Sequence, residues 1–145
     1  SLIVDLECVY DQPIAKDYCG TCTKCIDACP TQAILPNKTI EANHCISYYT
    51  IELKKQTIET GADRAYQDWA FGCDICQDVC PWNRFSHPHQ ESKFKPIEGL
   101  LTMSKDAWLE MEETSFKARF KQSPLLRSKL NGIKRNIDYL KNQEQ

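Results

Sequence analysis

Cys19-Gly20-Thr21-Cys22-Thr23-Lys24-Cys25-Ile26-Asp27-Ala28-Cys29-Pro30 is the stretch on which the reading of this chain turns. Its thiols are spaced Cys-x2-Cys-x2-Cys-x3-Cys-Pro, the bacterial iron–sulfur signature. A second group repeats it with one change. Cys45-x27-Cys73-x2-Cys76-x3-Cys80-Pro81 keeps every spacing but the first, which is stretched from two residues to 27. Three thiolates two residues apart wrap one face of an inorganic core, because the loop between them turns its N–H groups toward the sulfurs. The extra residue before the fourth cysteine points that side chain elsewhere, and the proline bars a helix from running back through the site.

In two-cluster ferredoxins the fourth cysteine of each run serves the other cluster. The expected ligand sets are therefore crossed. Cys19, Cys22, Cys25 and Cys80 would hold cluster I, and Cys29, Cys45, Cys73 and Cys76 cluster II, both 4Fe–4S and close together. Two other uses of the thiols compete. A disulfide framework suits a small exported chain, but no export signal is visible, and adjacent Cys-x2-Cys pairs bridge awkwardly. Two zinc sites would use the same thiolates, although zinc motifs rarely triple the Cys-x2 spacing or end both halves in Cys-Pro.

The ninth cysteine, Cys8, lies in the alternating stretch Leu2, Val4, Leu6, Cys8, Tyr10 and is expected to be a buried strand residue. His87-Pro88-His89 has no third ligand nearby and reads as surface loop. The chain has 145 residues, 41% hydrophobic, with a mean hydropathy of −0.53, which indicates a thin core. It contains no apolar run approaching the roughly 18–20 residues of a membrane span, and no signal peptide is visible in it. It opens without an initiator methionine, so a fragment is expected.

The expected architecture is α+β: a dicluster ferredoxin-like domain with inserted helices and a C-terminal helical tail. Residues 1–10 read as one strand, whose partners would lie in a preceding domain, and residues 11–18 as a linker. Within the cluster domain, residues 19–83, Ile34-Leu35 and Thr39-Ile40 flank a Pro36-Asn37-Lys38 turn as a hairpin. The 27-residue spacer reads as helix from Ile46 to Lys54 and from Ala62 to Phe71, stopped by Gly72. Residues 84–145 form an extension that is mostly loop to 103. A helix then follows from Lys105 to Glu113, capped by Ser104. A last helix is capped by Ser123 and carries Pro124 in its first turn. Its stripe is Leu126, Leu130, Ile133, Ile137 and Leu140, and its Gly132 costs about 1 kcal/mol relative to alanine.

Net charge is −2, which excludes a strongly basic nucleic-acid binder on bulk electrostatics. The charge is nevertheless uneven, −5 over residues 1–90 and +3 over 91–145. From Thr114 to Lys141 eight basic groups face one acid, Asp138. Such a stripe is either a solvated helical face or a phosphate-facing surface. Candidate contacts are Lys117, Arg119, Lys121, Arg127, Lys129, Lys134 and Arg135.

Cys19-Gly20-Thr21-Cys22 with Cys29-Pro30-Thr31-Gln32-Ala33-Ile34 is similar to the general ferredoxin pattern. More specific are Cys45-Ile46-Ser47-Tyr48-Tyr49-Thr50-Ile51-Glu52 and Phe71-Gly72-Cys73-Asp74-Ile75-Cys76-Gln77-Asp78-Val79-Cys80-Pro81-Trp82-Asn83. With the Arg135-Asn136 helix, these resemble the C-terminal part of the epoxyqueuosine reductase family across the whole chain. The resemblance implies two clusters passing electrons to a cobalamin that reduces epoxyqueuosine to queuosine in tRNA. The cobalamin domain and its proton donor would lie in a preceding half, so no catalytic residue is expected here. By the same resemblance Ser47, Cys73 and Asp74 would face the cobalamin, although Ser47 and Tyr48 could equally cap and pack a helix. Trp82 would shield a cluster from water or simply be core. A cytoplasmic monomer is expected, with tRNA as partner, an unidentified electron donor and no membrane. A stand-alone dicluster electron carrier, or an RNA-binding module in which clusters only stabilise the fold, are the other functions the residues allow.

Overall fold

The computed structural model describes residues 3, 5–55 and 66–143. Short helices dominate. The first signature run turns through α1 (Lys24–Ala28) and the second through α2 (Ile75–Asp78), and these two helices pack together. Each begins after a residue in the same irregular conformation, Thr23 (φ −117°, ψ 5°) and Asp74 (φ −112°, ψ 6°). Equal cysteine spacing therefore gives equal local backbone. Each run ends on an extended cysteine, Cys29 or Cys80, where the following proline leaves the backbone no α-helical choice.

The expected hairpin is reduced to a tight turn. Ile34 and Ile40 form one antiparallel bridge, with Leu35 N–H donating to the Thr39 carbonyl at 2.9 Å and Glu41 N–H to the Ala33 carbonyl at 2.8 Å. Asn37 Oδ1 accepts from the Thr39 amide and hydroxyl at 3.1 and 2.7 Å, which fixes the turn without longer strands. Among the described residues this bridge is the only β structure, so the β half of the α+β expectation is not seen in them. Residues 3 and 5–18 likewise form no strand. Cys8, expected to be buried, is exposed, as are Ile3, Leu6, Val9 and Tyr10. An unpaired strand cannot satisfy its own edges.

The first spacer helix is a π-helical turn, Tyr48–Glu52, closed by Leu53 N–H on the Tyr48 carbonyl. The second, Ala62–Phe71, lies outside the described residues as far as 65, and its described part is a turn with Gln67 and Asp68 at positive φ. Downstream, Ser104 caps α3 (Lys105–Glu110) by accepting from Ala107 N–H, and the chain turns into α4 (Glu113–Arg119) instead of continuing one helix to Glu113.

The last helix is divided. Ser123 accepts from Leu125 N–H as expected, but Pro124–Arg127 is a tight 3-10 turn, and α5 (Lys129–Gln143) restarts after it. The restart puts Lys129 at φ +59°, a conformation costing a non-glycine residue about 1–2 kcal/mol. Gly132 has a reason to be there, because a Cβ would meet Ser128 Cβ at 3.2 Å. Leu130, Ile133, Ile137 and Leu140 are buried as the stripe predicts, whereas Leu126 is 38% exposed. Phe116 of α4 and Phe120, which caps that helix, complete that core, Trp108 stacking on Phe120 at 5.3 Å. No helix among the described residues is long and apolar enough to cross a membrane.

Candidate metal centres

Two cavities hold the eight signature cysteines, four in each. Cys19, Cys22, Cys25 and Cys80 line the first, about 230 Å³. Cys29, Cys45, Cys73 and Cys76 line the second, about 40 Å³. The fourth cysteine of each run has crossed to the other's cavity, because α1 and α2 pack together and Cys29 and Cys80 leave their helices extended.

Both quartets suit an inorganic core of several atoms. Each offers four thiols, the donor set of a 4Fe–4S cluster. In the second cavity burial pushes the Cys73 and Cys76 thiols up, and mutual thiolate repulsion adds to it. Cys73 feels Cys45, Cys76 and Cys29, while Cys76 feels Cys29, Cys45 and Cys25. Cys25 belongs to the other quartet, and α1 and α2, which carry Cys25 and Cys76, pack together. Four crowded thiolates are tolerable only around positive charge, which iron supplies. Cys29 is held below the ordinary thiol value despite its burial, because Ala33 N–H (3.2 Å to sulfur) and Thr31 favour its thiolate. Hydrogen bonds to sulfur of this kind tune iron–sulfur potentials.

The second cavity is braced by a polar knot on the helical tail. Thr50, fully buried, donates its hydroxyl to the Ile46 carbonyl at 2.8 Å and accepts Gly72 N–H at 3.0 Å. Gly72 sits at φ +76°, a conformation natural to glycine, and this aims Cys73 into the cavity. Asn136, 1% exposed, donates to the carbonyls of Thr50 and Ala70 at 2.8 Å each. Its own oxygen accepts from Arg135, whose guanidinium also caps the carbonyls of Tyr49, Leu53 and Lys55. The segments carrying Cys45 and Cys73 are thus joined through α5. Asn136 stands on the apolar stripe, three residues from Ile133, and a polar side chain at that position is the sequence signal of its buried role.

Ser47 and Asp74 flank the second quartet in sequence. Ser47 makes no capping bond to the π-helical turn, and Asp74, exposed, precedes α2. Trp82 is not core: it is 48% exposed, with Tyr18 edge-on at 6.1 Å. His89 accepts from Glu91 N–H within the surface loop. Of the candidate phosphate contacts, Arg135 is turned inward, Arg127 is clamped to Glu52 at 2.6 and 2.8 Å, Lys117 pairs with Glu113, and Arg119 donates to the Glu98 carbonyl. Lys121 and Lys129 are exposed and Lys134 is half-buried.

Residues 18–83 match the family described as 4Fe-4S double cluster binding domain. The chain is 54% identical, over 97% of its length, to an epoxyqueuosine reductase of Cellulophaga algicola, and 54% identical over 98% to that of Cyclobacterium marinum. It spans about 45% of the length of these curated relatives. Among solved structures it resembles epoxyqueuosine reductase from Bacillus subtilis, with a TM-score of 0.71 and 31% identity over 90% of this chain and 34% of that one. An epoxyqueuosine reductase with an epoxyqueuosine-modified tRNA-Tyr stem loop matches equally well, at a TM-score of 0.71 and 31% identity over the same shares.

Proposed function

We propose that this chain is the iron–sulfur part of an epoxyqueuosine reductase and carries electrons through two 4Fe–4S clusters to a cobalamin held by the rest of a longer protein, a reading supported by its similarity to those enzymes. There the cobalamin supplies the reducing chemistry that converts epoxyqueuosine to queuosine in tRNA. The observation that carries this reading is the crossed pair of cysteine quartets. Cys19, Cys22, Cys25 and Cys80 ligate cluster I, and Cys29, Cys45, Cys73 and Cys76 ligate cluster II. Protein groups position the clusters and set their potentials, while the cofactors perform the redox step. A stand-alone dicluster carrier is less well supported, since the similarity runs on through the tail beyond residue 83.

In this reading residues 1–18 join the cluster domain, 19–83, to a cobalamin-binding half, and 84–145 form its extension. Ser47, Cys73 and Asp74 face the cobalamin. Exposed Lys121 and Lys129, with Lys134, meet tRNA phosphates in the cytoplasm, where the protein works as a monomer, and Arg135 is withdrawn from that role. Anaerobic reconstitution tests the reading: about eight irons and eight acid-labile sulfides per chain are expected for two 4Fe–4S clusters. Two zinc ions per chain, or clusters that no low-potential reductant can cycle, would overturn it.

A further inference from the structure

The two quartets sit in different surroundings. Lys24, Lys38 and Arg84 line the first cavity together with Tyr18 and Trp82. The second is lined, besides its cysteines, by Pro30, Thr31 and the isoleucines 34, 40, 46 and 75, with no charged side chain. Residues 1–90 are acidic overall and contain seven basic residues. Three of these ring the first cavity, and a fourth, Lys16, lies over the Tyr18 ring at 5.4 Å. Arg84 stacks on Phe85 at 4.5 Å. Tyr18, Trp82 and Phe85 are 59%, 48% and 56% exposed, and Cys19 itself is exposed. Asp17 offsets part of this charge through its 2.8 Å pair with Lys38.

A cationic rim with exposed aromatic edges around the mouth of a redox site is complementary to an acidic protein that must bring its own redox centre close. We infer that this face docks an acidic one-electron carrier protein of the ferredoxin class, and that electrons come in through the first cavity and leave by the second. The inference rests on the ligand assignment proposed above. Each docking moves one electron. The carrier is oxidised by one, the cluster held by Cys19, Cys22, Cys25 and Cys80 is reduced by one, and no bond is made or broken. Two dockings supply the pair that a two-electron reduction consumes. RNA would also be drawn to cations beside aromatics, but it carries no electron and would cover the mouth.

The test uses the iron-loaded chain and an acidic plant-type ferredoxin. Lys24→Glu with Arg84→Glu is expected to weaken ferredoxin binding about tenfold or more at low salt, flatten its salt dependence and slow cluster reduction in step. Lys95→Glu, the same charge change away from the cavity, leaves all three unaltered. Unchanged ferredoxin affinity in the double variant would overturn the inference, as would loss of binding to a tRNA stem–loop with ferredoxin binding intact. A chain that takes up no iron overturns the ligand assignment and this inference with it. Full iron content with an unaffected double variant overturns the inference alone.

Discussion

Two quartets of cysteine with the same spacing rules end in cavities of opposite character. The first is larger, about 230 Å³, and rimmed by Lys24, Lys38 and Arg84; the second is smaller, about 40 Å³, and walled by isoleucines. Reducing a cluster adds negative charge, which nearby cations and solvent stabilise and an apolar wall does not. Identical ligands should therefore give different potentials, with the first cluster accepting an electron more readily and transfer onward to the second being the uphill step, drawn forward by the reaction that consumes the electron. Ligand identity selects the cofactor, and the surroundings decide how each copy is used.

The largest effect that could break this contrast comes from the crossed cysteines. Cys80→Ala should abolish the cluster of the first cavity and the more easily reduced wave in a redox titration, leaving about half the iron. Cys29→Ala should abolish the other cluster and the harder wave. Spectroscopy finding the reverse would dissolve both the crossed scheme and the comparison built on it.

A smaller change should act on the second cavity alone. Thr50→Val removes the hydroxyl that meets Gly72 N–H and the Ile46 carbonyl, leaving buried partners unsatisfied at about 1–3 kcal/mol. Asn136→Leu strips the carbonyls of Thr50 and Ala70 and should cost more, on the order of 3 kcal/mol. Thermal unfolding reads the stability loss. Electron paramagnetic resonance during exposure to oxygen should show the second cluster decaying ahead of the first. Equal decay of both would mean that the knot supports the fold generally rather than one site.

The smallest effect belongs to the first cavity's rim. Lys38, hydrogen-bonded to Asp17, holds that carboxyl below the usual carboxylate range, and Asp17 in turn accepts Cys19 N–H at 2.8 Å. A depressed folded-state value contributes stability above the ordinary carboxylate range and loses it as pH falls through the lowered value. Both partners are largely exposed, so the effect is slight. Asp17→Asn should match the wild type in strong acid and fall marginally below it near neutrality, as measured by denaturant midpoints at a series of pH values. A difference that grows on acidification would reverse the assignment.

What could be read in advance followed from local rules. The Cys-x2-Cys-x2-Cys spacing puts Cys19, Cys22 and Cys25 on one loop, while the crossing of Cys29 and Cys80 is an expectation taken from two-cluster ferredoxins, and the two cavities group the eight thiols in the same way. The Leu130–Leu140 stripe was legible because helical period is local. Three features were not. Residues 3 and 5–18 have the alternation of a strand, but alternation does not supply a partner. The break at Lys129 comes from Ser128, whose hydroxyl bonds the Thr50 carbonyl at 2.9 Å across 78 residues. The rim of the first cavity gathers Lys24, Lys38 and Arg84 from positions up to 60 residues apart, and no window of sequence contains them together.

The bonds from Asn136 to Thr50 and Ala70 have a consequence for how this domain can change. They pin both ends of the stretch that separates Cys45 from Cys73, so the register of the second quartet is set at the ends and not by the residues between. Asn136 thus acts as a clamp between two anchors distant in sequence, and the segments that carry Cys45 and Cys73 stay together for as long as it holds both carbonyls.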